Sequence, residues 1–290
     1  MKRILLKVLL ILFSLGIAGY LFLWLWAALI IKPLDKIPHK PQGALRVLMS
    51  NVNYRNTQKT ILTRHFINLQ VDVGIILEWT GASLDTNQLT QTGYKIPVNY
   101  RVPSPCPHGI AAFARASLNP KAQVIRSQKP DVCRMPMATL NIQWQDTSIN
   151  IIGLHTPPPL LKCYKETPKR LDEISTLVAN GQLTRLVGIC QPDQPLIIAG
   201  DLNMFPFHPS VKRFKKQGLI EVYDTLHILS PVSWSPFPWV PPFVRLDYLY
   251  CTETFKVIHA NYVHIPGSDH KGIIADLIIE SQNGVDASGL

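Results

Sequence analysis

The stretch Pro195-Leu-Ile-Ile-Ala-Gly-Asp-Leu-Asn203 ends an apolar run with an aspartate and an asparagine two positions apart. The run Leu196–Gly200 predicts a buried strand. Strand ends in layered α/β domains are places where sites are built, so Asp201 and Asn203 are candidate site residues. Taken alone, the same four residues, Gly-Asp-Leu-Asn, are also typical of an Asx turn.

On either side of this stretch the sequence alternates between strand and helix patterns from residue 44 to residue 280. The predicted strands are 45–51, 73–78, 109–115, 122–126, 137–144, 148–154, 196–200, 244–251, 255–262 and 272–279. The predicted helices are 57–69, 166–186 and 210–217. This mixture predicts one α/β domain with helices packed outside sheets, followed by a loose tail over residues 281–290.

The first part of the chain predicts a membrane anchor. After a short N-terminal end (residues 1–7), residues 8–31 carry no charge. A helix of that length spans a hydrocarbon core of about 30 Å. A cleaved signal peptide is the alternative, although its apolar part is usually shorter and Trp26-Ala-Ala28 is a poor cleavage site. Prolines in residues 32–43 predict an extended linker.

The side of the membrane is indicated only by position. Three lysine or arginine residues precede the span and three follow it, so the positive-inside rule decides nothing. The location at the extreme N-terminus favours a short cytosolic end. We therefore expect a single pass through the cytoplasmic membrane, with the remaining chain on the extracytoplasmic side.

Charge and cysteine content add weak constraints. The net charge is +10, which suits an anionic partner but is far from the pattern of a dedicated DNA binder. The five cysteines include no C-x-x-C pair, which argues against a zinc site. Cys106 with Cys133, and Cys163 with Cys190, could form disulfides in an oxidising compartment, or all five could be buried thiols. Cys251 is expected to lie in the core.

Polar residues stand at the ends of several predicted strands. They are Asn51, Glu78, His155, Asp201, Asn203, Asp247, Asp269 and His270. Asp247 is the most informative, because a carboxylate inside an apolar strand needs a partner. Each of the others alone is compatible with an ordinary cap, turn or surface residue.

The order of these residues resembles that of the endonuclease/exonuclease/phosphatase superfamily. The matching motifs are Ser50-Asn51-Val52, Leu77-Glu78, Leu154-His155-Thr156, Gly200-Asp201-Leu202-Asn203, Arg245-Leu246-Asp247-Tyr248 and Ser268-Asp269-His270. The resemblance covers roughly residues 44–280. It implies an α/β four-layer sandwich, with two mixed β-sheets face to face and helices outside both.

The resemblance also implies a divalent metal site. Glu78 and Asn51 would be ligands or near-ligands, and Asp269 would lie near the metal or serve a second ion. Oxygen ligands of this kind suit Mg²⁺ or Mn²⁺ better than zinc.

Catalytic roles follow from the same resemblance. Asp201 would orient or deprotonate the attacking water, and Asn203 would hold that water or a phosphate oxygen. His155 would donate a hydrogen bond to a non-bridging phosphate oxygen. His270 would act as the general base or as a phosphate-binding cation, with Asp247 as its carboxylate partner.

Two features bear on the substrate: the anchor, and the aromatic, proline-rich stretch 234–243 before Asp247. If exposed, this loop would suit a lipid interface; the alternative is a loop folded onto the domain. The arrangement resembles a membrane-anchored bacterial subgroup that includes teicoplanin-resistance-associated proteins. We therefore expect hydrolysis of a phospholipid or polyprenyl (pyro)phosphate.

Two other functions stay open. One is an extracytoplasmic nuclease, for which Lys212, Arg213, Lys215 and Lys216 would supply a basic surface. The other is a catalytically inactive, membrane-tethered binding module. The sequence indicates no oligomeric state.

Overall fold

The computed structural model of the chain describes residues 2–30, 38–101, 109–125, 137–158, 168, 171–172, 194–227, 231–237 and 240–280. The strands are β1 (Leu45–Asn51), β2 (Val73–Leu77), β3 (Tyr94–Tyr100), β4 (Ile110–Arg115), β5 (Lys121–Ile125), β6 (Met137–Trp144), β7 (Thr147–His155), β8 (Leu196–Asp201), β9 (Leu219–Glu221), β10 (Asp247–Thr252), β11 (Phe255–His264) and β12 (Lys271–Ile279). The α-helices are α1 (Lys2–Ile30), α2 (Lys59–Asn68), α3 (Thr86–Gln91), α4 (Pro209–Lys216) and α5 (Val222–Leu226).

The strands form two six-stranded sheets. The first has the order β11-β12-β1-β2-β4-β3, and the second has the order β5-β6-β7-β8-β10-β9. The pairs β1–β2 and β7–β8 are parallel, and the other pairs of named strands are antiparallel. Both sheets are therefore mixed, as the sequence predicts.

The main core lies between the two sheets, and the helices cover their outer faces. Alternate residues of strands in both sheets, such as Met49 and Ile151, belong to one buried cluster. Phe66 of α2 packs with the outer face of the first sheet. Phe214 of α4 stacks on Tyr250 on the outer face of the second sheet. The predicted four-layer sandwich is confirmed.

Helix α1 is the candidate membrane span. Within the described residues it is the one helix long and apolar enough to cross a bilayer, over Lys7–Leu25. A signal sequence near the N-terminus passes the same test of length and composition, so the alternative of a signal peptide stays open.

The end of the linker is fastened to the domain at the start of β1. Lys40 Nζ lies 2.8 Å from a carboxylate oxygen of Asp72, and Arg46 Nη2 donates to the carbonyl of Pro38 at 3.0 Å. Strand β1 then runs six residue steps to Asn51, which is about 20 Å. The chain therefore joins the domain at the end opposite to Asn51.

Several element boundaries differ from the sequence prediction. Residues 244–246 are not part of β10, because the backbone N–H groups of Leu246 and Asp247 donate to Ser233 Oγ instead of a strand neighbour. Strand β3 was not predicted; it contains Pro97 and lies at a sheet edge, where proline is tolerated. Most of the predicted helix 166–186 lies outside the described residues.

The cysteines are described only in part. Cys251 is a buried free thiol in β10, as predicted. The other four, Cys106, Cys133, Cys163 and Cys190, lie outside the described residues, and so does the tail 281–290.

Candidate active site

The predicted site residues converge at one end of the sandwich. In the parallel pairs, Asn51 aligns with Leu77, directly before Glu78, and His155 aligns with Asp201. In the antiparallel pair β8–β10, Asp247 aligns with the same Asp201. Strand pairing therefore brings Asn51 close to Glu78 in the first sheet and brings His155, Asp201 and Asp247 together in the second, and packing of the two sheets joins the two sets.

Asn51 connects the two sheets across the core. Its Nδ2 atom donates to Glu78 Oε1 and to Asp201 Oδ2, each at 3.1 Å. His155 Nε2 lies 3.8 Å from Asp201 Oδ2 and 4.0 Å from Glu78 Oε1. The amide, the imidazole and the two carboxylates thus form one continuous polar group.

His270 and Asp247 form the second part of the site. The Nδ1 atom of His270 lies 2.9 Å from Asp247 Oδ2, and its Nε2 atom lies 3.7 Å from Asp201 Oδ2. Asp247 is fully buried. The carboxylate that stood out in an apolar strand therefore has the histidine partner that the resemblance implies.

Two site residues adopt a left-handed backbone conformation. The φ angle is 56° at Glu78 and 46° at Asn203. Such strain costs about 1–3 kcal/mol per residue and persists only where neighbours enforce it. For Asn203 the restraints are visible, because its N–H donates to Asp201 Oδ1 at 2.9 Å and its side chain donates to the carbonyl of Thr156 at 2.7 Å.

Asp269 lies at the rim and makes contacts of its own. Asn53 Nδ2 donates to Asp269 Oδ1 at 2.9 Å, and Trp234 Nε1 donates to Asp269 Oδ2 at 3.1 Å. The sequence analysis did not identify Asn53 as a site residue. The signal available was its position two residues after Asn51, on a turn that carries a positive φ angle.

Burial and mutual charge shift the pKa values of three groups. Burial raises the pKa of Glu78. Burial and the Asp247 carboxylate raise the pKa of Asp201 to about 7. Burial alone would lower the pKa of His270, but the carboxylates of Asp247 and Asp201 outweigh it and raise that pKa to about 10. At neutral pH His270 is therefore a cation in this geometry.

The donor set fits a divalent cation. Asp201, Asp247 and His270 each offer a ligand atom, and these atoms lie within 4.8 Å of one another. Within the described part of the chain, no Lys or Arg forms an ion pair with Glu78, Asp201 or Asp247. Carboxylate oxygens are favourable ligands for a hard divalent cation, whereas His270 could act as a ligand only after losing its extra proton. This compact group differs from the predicted ligands Glu78, Asn51 and Asp269, of which Glu78 and Asn51 lie beside it and Asp269 at the rim.

Solved structures of similar fold support the architecture. The human Nocturnin catalytic domain with bound sulfate anion is 18% identical, with a TM-score of 0.61 over 83% of this chain and 97% of that one. D. rerio TDP2 complexed with single strand DNA product is 14% identical, with a TM-score of 0.60 over 81% and 99% of the two chains. An endonuclease/exonuclease/phosphatase from Bacteroides vulgatus is 14% identical, with a TM-score of 0.61 over 82% and 99%. At these identities the likeness shows the fold.

The sequence comparison gives the family. No curated protein matches the chain. The family model described as Endonuclease/Exonuclease/phosphatase family matches residues 50–270, a span that begins one residue before Asn51 and ends at His270. This chain belongs to the endonuclease/exonuclease/phosphatase family.

Proposed function

We propose that the chain is a membrane-anchored, divalent-metal-dependent hydrolase of phosphoric esters or anhydrides. The observation that carries the proposal is the continuous polar group that Asn51 and Asp201 form across the two sheets, joined to the Asp247–His270 pair. The substrate we propose is a phospholipid or a polyprenyl (pyro)phosphate, cleaved by attack of water on phosphorus. Within the family, we place the chain with the membrane-anchored, teicoplanin-resistance-associated subgroup.

The residues divide the chemistry between them. Asp201, whose pKa of about 7 leaves it partly ionised at neutral pH, accepts the proton of the attacking water. Asn203 fixes the Asp201 carboxylate through its backbone N–H. His270 is held as a cation by Asp247, so it attracts a non-bridging phosphate oxygen rather than acting as the resting base.

The metal requirement follows from the carboxylates. We propose that Glu78 and Asn51 hold Mg²⁺ or Mn²⁺, and that Asp269 contributes from the rim. A bound divalent cation neutralises phosphate charge and stabilises the leaving oxygen.

A nuclease is the second candidate, supported by the fold similarity to TDP2 bound to a DNA product. The basic helix α4 supports it only weakly. Arg213 pairs with Asp172 at 3.1 Å, and Lys215 forms an ion pair with Asp224. Two of the four basic residues on this helix are therefore neutralised by the protein itself, which weakens the support for a nucleic-acid surface.

The test is hydrolysis of each substrate by the purified full chain with Mg²⁺ or Mn²⁺, with the products separated and identified, because cleavage of a diester leaves a phosphate monoester and no free phosphate. The panel contains a polyprenyl pyrophosphate, a phospholipid, plasmid DNA and a soluble generic diester. We expect turnover of the lipid substrates, loss of turnover in EDTA, and loss in Glu78→Gln and His270→Ala.

Each other outcome selects an alternative. Nicking of the plasmid without lipid turnover would favour the nuclease. Binding of lipid vesicles without turnover of any substrate would favour the inactive binding module. Ile61→Ser is a matched control, because Ile61 lies exposed on α2, outside the site, and its replacement should leave every activity unchanged.

A further inference from the structure

Two phenylalanines directly after the Asp201–Asn203 motif are exposed. Phe205 is 43% exposed and Phe207 is 70% exposed. Their rings stack on each other, with centroids 5.3 Å apart and planes 10° apart. A stacked pair of large apolar side chains in water exposes area that a soluble surface normally hides, so the pair indicates an interaction surface.

The pair is presented on a rigid segment. Pro206 and Pro209 flank Phe207, which restricts the backbone on both sides. His208 donates its N–H to the carbonyl of Phe205 at 3.0 Å, and its Nδ1 atom accepts from Ser210 N at the start of α4. The two rings are therefore held in position before any partner binds, which lowers the entropic cost of binding.

The Phe205–Phe207 pair lies beside the site rather than on a remote face. The segment that carries it is joined to the end of the aromatic loop, directly before β10, because Leu202 N donates to the carbonyl of Leu246 at 2.9 Å. In that loop, Phe243 is 42% exposed, and its ring centroid lies 6.3 Å from that of Trp234. Trp234 in turn lies 6.3 Å from the His270 ring. Exposed aromatic rings thus lie both on the segment that follows β8 and on the segment that precedes β10, at the site end of these two strands.

The charges around the pair suit an anionic apolar surface. Residues 202–220 contain four lysine or arginine residues and no acidic residue, and residues 231–246 contain no acidic residue either. Lys212 and Lys216 of α4 form no ion pair with any residue that the structure describes. Lysines without a partner among the described residues, on the helix that directly follows the exposed phenylalanines, match an interface of anionic headgroups over acyl chains.

The linker between the anchor and the domain is long enough for this surface to reach the bilayer that holds the anchor. The chain joins the domain at the opposite end of β1, about 20 Å from the site. The eight Cα–Cα steps from Ile30 to Pro38 span at most about 29 Å. The domain can therefore turn its site end toward the membrane without leaving its anchor.

We propose that Phe205 and Phe207 form a lipid-interface docking surface that seats the site end of the domain on an anionic bilayer. The proposal deepens the proposed function, since it explains how a phosphate at the membrane surface would reach Asp201 and His270. It adds the exposed phenylalanines that follow β8 to the exposed Phe243 that precedes β10.

The first test measures lipid contact without any catalysis. Phe207→Trp and the control Ile61→Trp are made in the full chain and reconstituted in vesicles of phosphatidylglycerol and phosphatidylcholine. Each is compared with the wild-type chain, whose own six tryptophans set the baseline. We expect brominated acyl chains to quench the added emission of Phe207→Trp and to leave that of Ile61→Trp unchanged. Equal quenching of the two added tryptophans, or none, would overturn the proposal.

The second test measures the consequence for turnover. In the double variant Phe205→Ser/Phe207→Ser, the ratio of lipid to soluble-diester turnover should fall by about tenfold or more, from the apolar area withdrawn from lipid. Ile61→Ser should keep the wild-type ratio. An unchanged ratio in the double variant would contradict the proposal.

The two tests separate this proposal from the proposed function and from nucleic-acid binding. Quenching by brominated lipid without any lipid turnover by the wild-type chain would retain the docking surface and reject the lipid substrate. Quenching of Phe207→Trp by a thymidine oligonucleotide, with no effect of brominated lipid, would identify base stacking and overturn the docking surface.

Discussion

Replacing Tyr262 by phenylalanine tests whether the site depends on a buried network beneath it. Tyr262 lies on β11 of the first sheet, and its hydroxyl donates to the backbone carbonyl of Asp247 in the second sheet at 2.5 Å. The same oxygen accepts from Arg245 Nε at 3.1 Å. Arg245 is 3% exposed and is also ion-paired with Glu221 and Asp224. Tyr262→Phe removes both hydrogen bonds and leaves the charge of Arg245 compensated.

The expected cost follows from these contacts. One lost bond joins two neutral groups and the other has a charged donor, so the free energy of unfolding should fall by about 2–4 kcal/mol. For a domain of this size that corresponds to a drop in melting temperature of roughly 5–10 °C. Because Asp247 is released from its restraint and in turn positions His270, kcat should also fall, with KM little changed.

Tyr94→Phe is the matched control. Tyr94 is equally buried, and its hydroxyl donates to the backbone carbonyl of Val71 at 2.6 Å, away from the site. We expect the free energy of unfolding to fall by about 1 kcal/mol and kcat to stay unchanged. The measurements are thermal unfolding and turnover of a soluble diester by the full chain. If the two variants lose the same stability and retain the same kcat, the network does not position Asp247.

Three further predictions concern the site itself. Asp247→Asn removes the carboxylate that raises the pKa of His270 to about 10, so the alkaline limb of the pH–rate profile should move to lower pH by at least one unit; an unmoved limb would assign it to another group. The pKa of Asp201 is raised from 3.8 to about 7, so the folded state binds an extra proton and, in EDTA, wild-type stability should fall as pH rises from about 4 to about 7. Asp201→Asn should abolish turnover, yet it should flatten that pH dependence and raise the free energy of unfolding by up to about 4 kcal/mol at pH 8. If chemical denaturation gives the two proteins the same slope of unfolding free energy against pH, the assignment is refuted. Gly200→Ala should separate β7 from β8 and lower the melting temperature, because an added Cβ would meet the carbonyl oxygen of Leu154 at 2.3 Å; wild-type stability in a thermal scan would show that the strands can relax.

Local sequence pattern was sufficient for the strands that carry the site. Apolar runs such as Ile151–Leu154 and Leu196–Ala199 are buried on both faces, so their composition alone identifies them. It failed where a strand is only half buried: in β3 only Tyr94 and Val98 are buried, four positions apart across a register irregularity, and the strand contains Pro97, so no regular alternation was visible. It also failed at residues 244–246, where Ser233 replaces a strand neighbour as the hydrogen-bond acceptor.

The residues of the site could be predicted, but not their connections. Each strand-end residue is visible as a polar side chain after an apolar run. The bond from Asn51 to Asp201 joins residues 150 positions apart, and the bond from Asn53 to Asp269 joins residues 216 positions apart. Such pairs depend on how the two sheets pack, which no local pattern encodes.

The buried position of Asp247 explains why the site and the core cannot be separated. A carboxylate with no exposed area is costly unless it is paired, and its partner His270 lies at the start of the last strand of the first sheet. The pair is therefore complete only when both sheets have assembled, with Tyr262 and Arg245 beneath it. Since Asn51 bridges the same two sheets, the geometry proposed to activate water is also a contact that holds the sandwich together. Substitutions at the Asp247–His270 pair should for this reason alter sheet packing as well as chemistry, whereas Glu78→Gln, at the more exposed end of the group, should alter chemistry alone.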